Sequence, residues 1–328
     1  MASTERTEQN GAPSNAPAVP ADRNRSGVDR RSWLAGAGGA AVAWAAMTRD
    51  GQAAESNPSG SPALSASIGR VKKGNINSSA CRWCFDPVQL PALAEASAAM
   101  GIKSVELLKP FEFDIVKKNG LVCAITSSHG FVKGLNRVEN HPECLATLRT
   151  AIEATGDAGF PNVITFSGMR EGLSDEEGIR NTVTGIKQVI GLAEKKKVNL
   201  CIEVLNSRVT TTMKGHPDYQ CDKVDWAAEV CRQVASPRMK ILFDIYHVQI
   251  MEGDIITRIR QYKDLIGHYH TAGNPGRNDL DDTQEINYPP IMRAILETGY
   301  TGFVGQEYIP KGPDKLAALW KGVELCDV

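Results

Sequence analysis

Short apolar runs alternate with longer amphipathic stretches from residue 72 to the end of the chain. Apolar runs of this length predict buried strands, and apolar residues spaced three and four apart predict helices between them. The eight predicted strands are residues 75–84, 103–108, 121–126, 162–166, 198–205, 240–246, 265–271 and 302–308. The predicted helices are residues 87–100, 111–119, 141–159, 175–197, 222–235, 253–263, 288–298 and 312–325.

Eight strands alternating with helices over about 250 residues have the size and order of a TIM barrel. A doubly wound open sheet is the main alternative. Its dinucleotide-binding form carries a GxGxxG motif after the first strand, and this chain has none there. The pattern therefore predicts an α/β fold, a (β/α)8 TIM barrel that forms a single domain over residues 72–328.

The first 71 residues lack this alternation. Residues 1–24 contain almost nothing to bury, whereas Arg30 and Arg31 precede a short Ala- and Gly-rich apolar stretch at residues 35–47. Paired arginines before such a stretch resemble a twin-arginine export signal. We expect residues 1–54 to be this signal with a disordered N-terminus, residues 55–71 to be a linker, and the protein to be exported to the periplasm or another extracytoplasmic space. A disordered basic tail is the alternative.

Charge and cysteine content limit the partners. The formal net charge of -1 gives no basic excess, so we expect no nucleic acid partner. The apolar stretch after the paired arginines is too short for a stable membrane span. The sequence leaves the oligomeric state open and is compatible with a homo-oligomer. Most of the eight cysteines lie in apolar segments as expected for buried thiols, but Cys81 and Cys84 form a CxxC pair, which could be a disulfide, a redox pair or half a zinc site.

Four successive predicted strands carry a charged or imidazole side chain near their carboxyl ends, inside otherwise apolar runs. These residues are Glu203, Asp244, His270 and Glu307. Charged side chains are rarely buried unless they are paired or bound to metal, and the carboxyl ends of barrel strands meet at one rim. We therefore expect the four to bind one divalent cation, and a carboxylate-rich set with one nitrogen ligand suits Mn²⁺ or Mg²⁺. A buried ion pair or a loop cap is the alternative for each residue taken singly.

Further polar residues near this rim are candidate substrate contacts. His247 is expected in the loop after the sixth strand, and Arg277 follows a Pro-Gly turn where it could bind a carboxylate or phosphate bidentately. Glu106 and His129 end the second and third strands, across the rim. His268 is expected to be a core histidine, one layer deeper in the barrel than the predicted histidine ligand.

Several motifs along the second half of the chain resemble the hydroxypyruvate isomerase family, which belongs to the xylose-isomerase-like TIM barrels. The resemblance extends from about residue 74 to the C-terminus. The motifs are Glu203-x-x-Asn206-x-Arg208, Phe243-Asp244-Ile245-Tyr246-His247-x-Gln249, Gly267-His268-x-His270-x-Ala272-x-Asn274-Pro275-Gly276-Arg277, Glu285-Ile286-Asn287-Tyr288 and Glu307-Tyr308.

The resemblance implies that the same four residues are the metal ligands and that Glu203 and Glu307 are also the catalytic acid and base. Asn206 and Arg208 lie in the shared motifs and are taken as further substrate contacts. Related ketose 3-epimerases typically carry another Glu shortly after this Asn-Arg segment, and it is absent here. The family often has Gln where His270 stands, so this sequence departs from it at one predicted ligand.

We therefore predict a metal-dependent isomerase that converts a small hydroxy-carbonyl acid through an enediolate, as in the conversion of hydroxypyruvate to tartronate semialdehyde. A ketose 3-epimerase would use the same site. A metal-dependent endonuclease of the same superfamily would need more histidine ligands and a basic groove, and this chain has only six histidines. A non-catalytic sugar-binding protein is the remaining alternative.

Overall fold

Seven parallel strands form one sheet in the computed structural model, which describes residues 68–328. Their order around the sheet is β2-β1-β7-β6-β5-β4-β3, and every neighbouring pair is parallel. The strands are β1 Asn77–Cys81, β2 Ser104–Glu106, β3 Asn162–Thr165, β4 Asn199–Glu203, β5 Met239–Asp244, β6 Ile266–Thr271 and β7 Phe303–Gln306.

The third predicted strand, residues 121–126, takes the eighth place but is irregular. Val122 and Thr126 form isolated parallel bridges to the β2 side, and Thr126 also bridges Val163 in β3. Side chains replace part of the backbone ladder here, because Ala124 N donates to Ser104 Oγ and Asn162 Nδ2 donates to Ala124 O, each at 2.8 Å. The segment therefore joins both edges of the sheet, and the prediction of a TIM barrel is confirmed, although this strand was predicted as regular.

Helices follow the strands and cover the outside of the barrel. One predicted helix is in fact two, because Gln188 N and Val189 N bond to carbonyls three residues back and tighten the chain between α4 and α5. Ser174 caps α4 as its sequence predicts, accepting from Glu177 N at 3.1 Å. The helices are α1 Leu90–Met100, α2 Phe113–Lys118, α3 His141–Asp157, α4 Asp175–Ile186, α5 Ile190–Lys196, α6 Val224–Val234, α7 Ile245–Met251, α8 Ile255–Tyr262, α9 Tyr288–Glu297 and α10 Lys315–Cys326.

Asp327 connects the segment before β1 to the end of the last helix. Its carboxylate accepts from the backbone N–H groups of Lys72, Lys73 and Gly74 at 2.8 to 2.9 Å. Asp327 directly follows α10, so this contact holds the segment that enters β1 against the last helix.

The predicted twin-arginine signal at residues 1–54 and most of the predicted linker lie outside the described residues, so the signal and the export it implies stay predictions. Within residues 68–328, no helix combines the length and apolar character that crossing a membrane requires. All eight cysteines are buried free thiols, so Cys81 and Cys84 form no disulfide in this structure.

Candidate metal centre and substrate cavity

The four predicted ligands converge at the carboxyl ends of β4 to β7. Glu203 and Asp244 are the last residues of β4 and β5, His270 lies near the end of β6, and Glu307 directly follows β7. All four are buried, and one ligand atom from each lies within 4.8 Å of the others. The barrel thus brings together residues that are more than one hundred positions apart in the sequence.

The two carboxylate oxygens of Asp244 have different surroundings. Oδ1 accepts from Tyr246 N at 2.8 Å and His247 N at 3.1 Å, which caps the N-terminus of α7. This cap ends β5 at Asp244, whereas the sequence predicted the strand to continue to residue 246. Oδ2 has no hydrogen-bond partner among the described residues and lies 3.7 Å from His247 Nε2 and 3.9 Å from Arg277 Nη2.

Glu307 is the most fully paired of the four. Its Oε1 accepts from Trp83 Nε1 at 3.2 Å and lies 3.7 Å from Cys81 Sγ. Its Oε2 accepts from Arg277 Nη2 and lies 3.1 Å from His270 Nδ1. Glu307 is therefore held in place from two sides.

The cluster contains more negative charge than its cations neutralise. Burial, followed by the charge of Glu307, raises the pKa of Asp244 to about 7, and burial also raises the pKa of Glu203. Burial acts in the same direction on Glu307, but Arg277 and His270 outweigh it and hold the pKa of Glu307 well below its usual range. Two of the three carboxylates thus lack sufficient positive charge nearby.

The donor set fits a divalent cation. Glu203 Oε1, Asp244 Oδ2 and His270 Nδ1 are buried and have no hydrogen-bond partner among the described residues, although they point toward one another. Unpartnered buried polar atoms are costly, and three at one place indicate a missing ligand of positive charge. Carboxylate oxygens with one imidazole nitrogen are donors that Mn²⁺ and Mg²⁺ accept.

A cavity of about 320 Å³ opens above this cluster. Glu203, Glu307 and Arg277 form its charged floor. Its walls are largely apolar and aromatic, with serine and histidine groups on one side. The wall residues are Trp83, Leu107, Ser127, Ser128, His129, Gly130, Phe131, Ile164, Phe166, Leu205, Met213 and His216.

Arg277 lines this cavity, and two of its three guanidinium nitrogens already donate hydrogen bonds, whereas its buried Nε has no partner among the described residues. Nη1 donates to Met213 O at 2.8 Å and Nη2 donates to Glu307. The guanidinium carbon lies 5.2 Å from the centre of the Trp83 ring and 6.0 Å from that of Tyr246, so two aromatic faces enclose it. Its first role in this geometry is to hold Glu307, rather than to wait unpaired for a substrate anion.

Three predicted substrate contacts lie outside the cavity lining, so their contact with substrate stays a prediction. His247 lies on α7 rather than in a loop, is fully buried, and accepts from Asn206 Nδ2 at 2.6 Å. Asn206 also donates to Lys214 O at 2.9 Å, so the pair fixes the loop after β4. Arg208 is exposed and donates to Ile250 O. None of His247, Asn206 and Arg208 is among the residues that line the cavity.

Glu106 and His129 were also predicted as substrate contacts across the rim. His129 does line the cavity, but its ring nitrogens are 3.0 Å from Gly130 O and 2.9 Å from Thr165 Oγ1, so both already have a protein partner. Glu106 is fully buried below the cluster, where it contacts His268 and His270. We therefore assign Glu106 to the support of the site.

Trp83 and His216 are two of the cavity residues that the sequence did not identify as site residues. Trp83 follows β1 within the CxxC segment and donates to Glu307, and His216 lies in the loop after β4 with its ring 4.5 Å from that of Phe131. Trp83 lay inside the predicted first strand and His216 lay eleven residues beyond the predicted fifth strand, so the only signal for either was its place toward the carboxyl-end side of the barrel. Burial lowers the pKa of His216 to about 4, so its imidazole is neutral.

Fold and site together define a TIM-barrel enzyme with an acidic centre at the carboxyl end of the barrel. Residues 94–322 match the xylose isomerase-like TIM barrel family, and the chain belongs to that family. Its relatives include isomerases, and the chain is an isomerase.

Two curated relatives and one solved structure illustrate the similarity. The putative hydroxypyruvate isomerase of Homo sapiens is 25% identical over 256 residues, covering 73% of this chain and 91% of that protein. The 2-oxo-tetronate isomerase of Cupriavidus necator is 27% identical over 238 residues, covering 69% and 89%. The crystal structure of 3-keto-D-glucoside 4-epimerase from E. coli superposes with a TM-score of 0.65 at 16% identity, covering 76% of this chain and 98% of that one, which shows the fold alone.

Proposed function

We propose that this chain is a divalent-metal-dependent isomerase that moves a proton between adjacent carbons of a small hydroxy-carbonyl acid, in the manner of hydroxypyruvate and tartronate semialdehyde. The observation that carries the proposal is the convergence of Glu203, Asp244, His270 and Glu307, with three unpartnered donor atoms, beneath a cavity. The names of the relatives support this reaction class. Bound Mn²⁺ or Mg²⁺ would supply Lewis-acid stabilisation of the negative charge that develops on the substrate's oxygens.

Glu203 is the better placed base. It lines the cavity, and if its Oε1 binds the cation its second carboxylate oxygen is left to take the proton from the hydroxyl-bearing carbon. The electron pair of that C–H bond then forms the enediolate. Return of a proton to the neighbouring carbon completes the isomerisation, and the hydroxyl proton moves to the former carbonyl oxygen.

Glu307 lies on the other side of the cavity floor and stays ionised, because Arg277 and Trp83 both donate to it. A carboxylate held in this way is a poor acceptor for a carbon-bound proton but a good hydrogen-bond acceptor for a substrate hydroxyl. We therefore assign Glu307 the role of accepting a hydrogen bond from the substrate hydroxyl while the hydroxyl proton moves to the former carbonyl oxygen. Arg277 positions Glu307 and contributes positive charge to the floor.

A ketose 3-epimerase is the second candidate, and the size of the cavity favours it. About 320 Å³ corresponds to the liquid volume of roughly ten water molecules. This exceeds what a three-carbon acid fills, and the walls include three aromatic rings: Trp83, Phe131 and Phe166. A six-carbon ketose would use this space better, with a proton removed from the carbon next to the carbonyl and a proton from a second group added to the opposite face of that carbon.

The products distinguish these candidates. The Mn²⁺-loaded full chain is incubated in deuterated water with hydroxypyruvate and, separately, with D-fructose, and the products are analysed by NMR after removal of the metal by a chelator. An isomerase yields an aldehyde product with deuterium on the carbon that gains a proton. An epimerase yields a sugar inverted and deuterated at the carbon next to the carbonyl. If neither compound took up deuterium, proton transfer on hydroxypyruvate and on D-fructose would be excluded as the function.

A further inference from the structure

A second group of buried polar side chains lies directly below the candidate metal centre. Glu106, at the end of β2, contacts two histidines of β6 across the barrel interior: its Oε1 is 2.9 Å from His270 Nε2, and its Oε2 is 3.1 Å from His268 Nε2. All three side chains are fully buried. The His270 contact has hydrogen-bond geometry, whereas the His268 contact does not.

A third strand is shaped to allow this contact. Gly305 in β7 packs against it so closely that a Cβ atom added there would lie 2.0 Å from Glu106 Oε1 and 2.8 Å from His270 Cδ2. Both distances are far below normal van der Waals separation. A side chain at position 305 would therefore push Glu106 and His270 apart, so the contact depends on three strands at once.

The two nitrogens of His270 face different groups. Nε2 faces Glu106, whereas Nδ1 faces Glu203 Oε1 at 3.4 Å and Glu307 Oε2 at 3.1 Å and has no hydrogen-bond partner among the described residues. An imidazole that binds a cation must present a lone pair on one nitrogen, and a hydrogen bond from the N–H of the other nitrogen selects that form. The carboxylate of Glu106 is an acceptor placed to receive that hydrogen bond.

We propose that Glu106 is a positioning residue for the metal centre: it holds Nε2–H of His270, so that Nδ1 presents its lone pair toward Glu203, Asp244 and Glu307, and Gly305 provides the space for this contact. The inference rests on the metal centre of the proposed function. It assigns Glu106 no contact with substrate, in agreement with its absence from the cavity lining.

The same atoms suggest a competing explanation that the test must separate. Ligand atoms of Glu106, His268 and His270 also lie within 4.8 Å of one another, as in a second cation site. In that case His270 would bind a cation through Nε2, and Glu106 would be a ligand itself. The two explanations differ in the number of ions bound per chain.

The experiment measures Mn²⁺ binding by electron paramagnetic resonance of the free ion, on the full chain and three variants. Glu106→Leu removes the acceptor, Glu106→Gln keeps an amide oxygen to accept from His270, and Gly305→Ala displaces the carboxylate. We expect one Mn²⁺ per wild-type chain, about 10- to 100-fold weaker binding for Glu106→Leu and Gly305→Ala, and a value within a few-fold of wild type for Glu106→Gln. Glu252→Gln, which alters a partly buried carboxylate paired with Arg258 elsewhere, is the matched control and should bind normally.

A second readout follows His270 itself. In protein labelled with ¹⁵N-histidine and loaded with diamagnetic Zn²⁺, NMR should show Nδ1 of His270 bound to metal and Nε2 protonated in the wild type and in Glu106→Gln, and a loss of this state in Glu106→Leu. The chain has six histidines, so the spectrum can be assigned by single substitutions. Circular dichroism shows whether each variant is folded. If Glu106→Leu does not fold, Glu106→Gln and Gly305→Ala still test the inference.

Three outcomes would overturn the inference. These are unchanged Mn²⁺ affinity in folded Glu106→Leu, affinity lost equally in Glu106→Gln and Glu106→Leu, and two Mn²⁺ per wild-type chain with one lost in either Glu106 variant, which would identify a second cation site. Neither readout requires turnover. A protein that shows the expected binding pattern but exchanges no substrate proton would contradict the proposed function and leave this inference standing.

Discussion

At the scale of single residues, the two candidate catalytic glutamates differ in their surroundings although they occupy similar positions. Glu203 has an oxygen without a hydrogen-bond partner among the described residues, whereas Glu307 accepts from Trp83 and Arg277. The sequence identified both residues from their position near a strand end but could not assign their roles, because the groups that pair with Glu307 come from loops distant in the sequence. Arg277 illustrates the same limit: its motif predicted a substrate contact, which stays a prediction, but did not predict its ion pair with Glu307.

This difference predicts unequal effects of two matched substitutions. Glu203→Gln removes the base and should reduce exchange of the substrate's carbon-bound proton by about 10²- to 10⁴-fold. Glu307→Gln should slow overall conversion while retaining more of the carbon–deuterium exchange than Glu203→Gln does. Exchange is measured by NMR in deuterated water, with the exposed Glu153→Gln on α3 as the control.

Equal residual exchange in the two variants would contradict the division of roles. Greater exchange in Glu203→Gln than in Glu307→Gln would reverse it. Both conclusions require that the variants still bind Mn²⁺, which the same preparations can show by metal analysis.

At the scale of elements, Asp244 links a strand, a helix and the metal centre. Its Oδ1 caps α7 and its Oδ2 has no hydrogen-bond partner among the described residues, so one side chain ends β5 and is also a candidate metal ligand. The apolar run through residue 246 gave no sign of this change, because Ile245 and Tyr246 suit a buried strand as well as a buried helix. His247 was consequently expected in a loop and lies on α7.

Two substitutions separate these duties. Asp244→Asn and Asp244→Ala both remove the charge and should both weaken Mn²⁺ binding, but asparagine still caps a helix. In metal-free protein, Asp244→Ala should therefore be about 1 kcal/mol less stable to urea than Asp244→Asn. Ser174→Ala on α4 is the control, since it loses a cap of the same kind far from the cluster and should retain Mn²⁺ affinity. Equal stability of the two Asp244 variants would show that the cap contributes nothing.

The sequence predicted elements best where the packing is regular. Apolar periodicity located seven strands, but the ladder of residues 121–126 is interrupted by the side chains of Ser104 and Asn162, which no pattern of hydrophobic positions reports. Side-chain contacts of this kind also explain why the contacts of Glu106 were not predicted. Its place at a strand end predicted the rim, whereas its partners lie on β6, and only the closed barrel shows that they meet.

At the scale of the whole molecule, the closed parallel barrel explains why four distant residues form one site. Each ligand stands at or near the carboxyl end of its strand, and the parallel order β4, β5, β6, β7 places those ends side by side. The sequence could predict this much because strand order and strand ends suffice. It could not predict the shape of the cavity, whose walls come from loops such as those carrying Phe131 and His216.

We propose that the buried acidic cluster needs a cation for activity, and metal removal tests this proposal most directly. The full chain is treated with a chelator, dialysed, and assayed for deuterium uptake by hydroxypyruvate and by D-fructose, before and after Mn²⁺ or Mg²⁺ is restored. We expect deuterium uptake into at least one substrate to be lost with the metal and to return with one equivalent of metal, while the circular dichroism spectrum of the protein stays unchanged. Uptake that persists at full rate in the verified metal-free protein would contradict the metal-dependent mechanism.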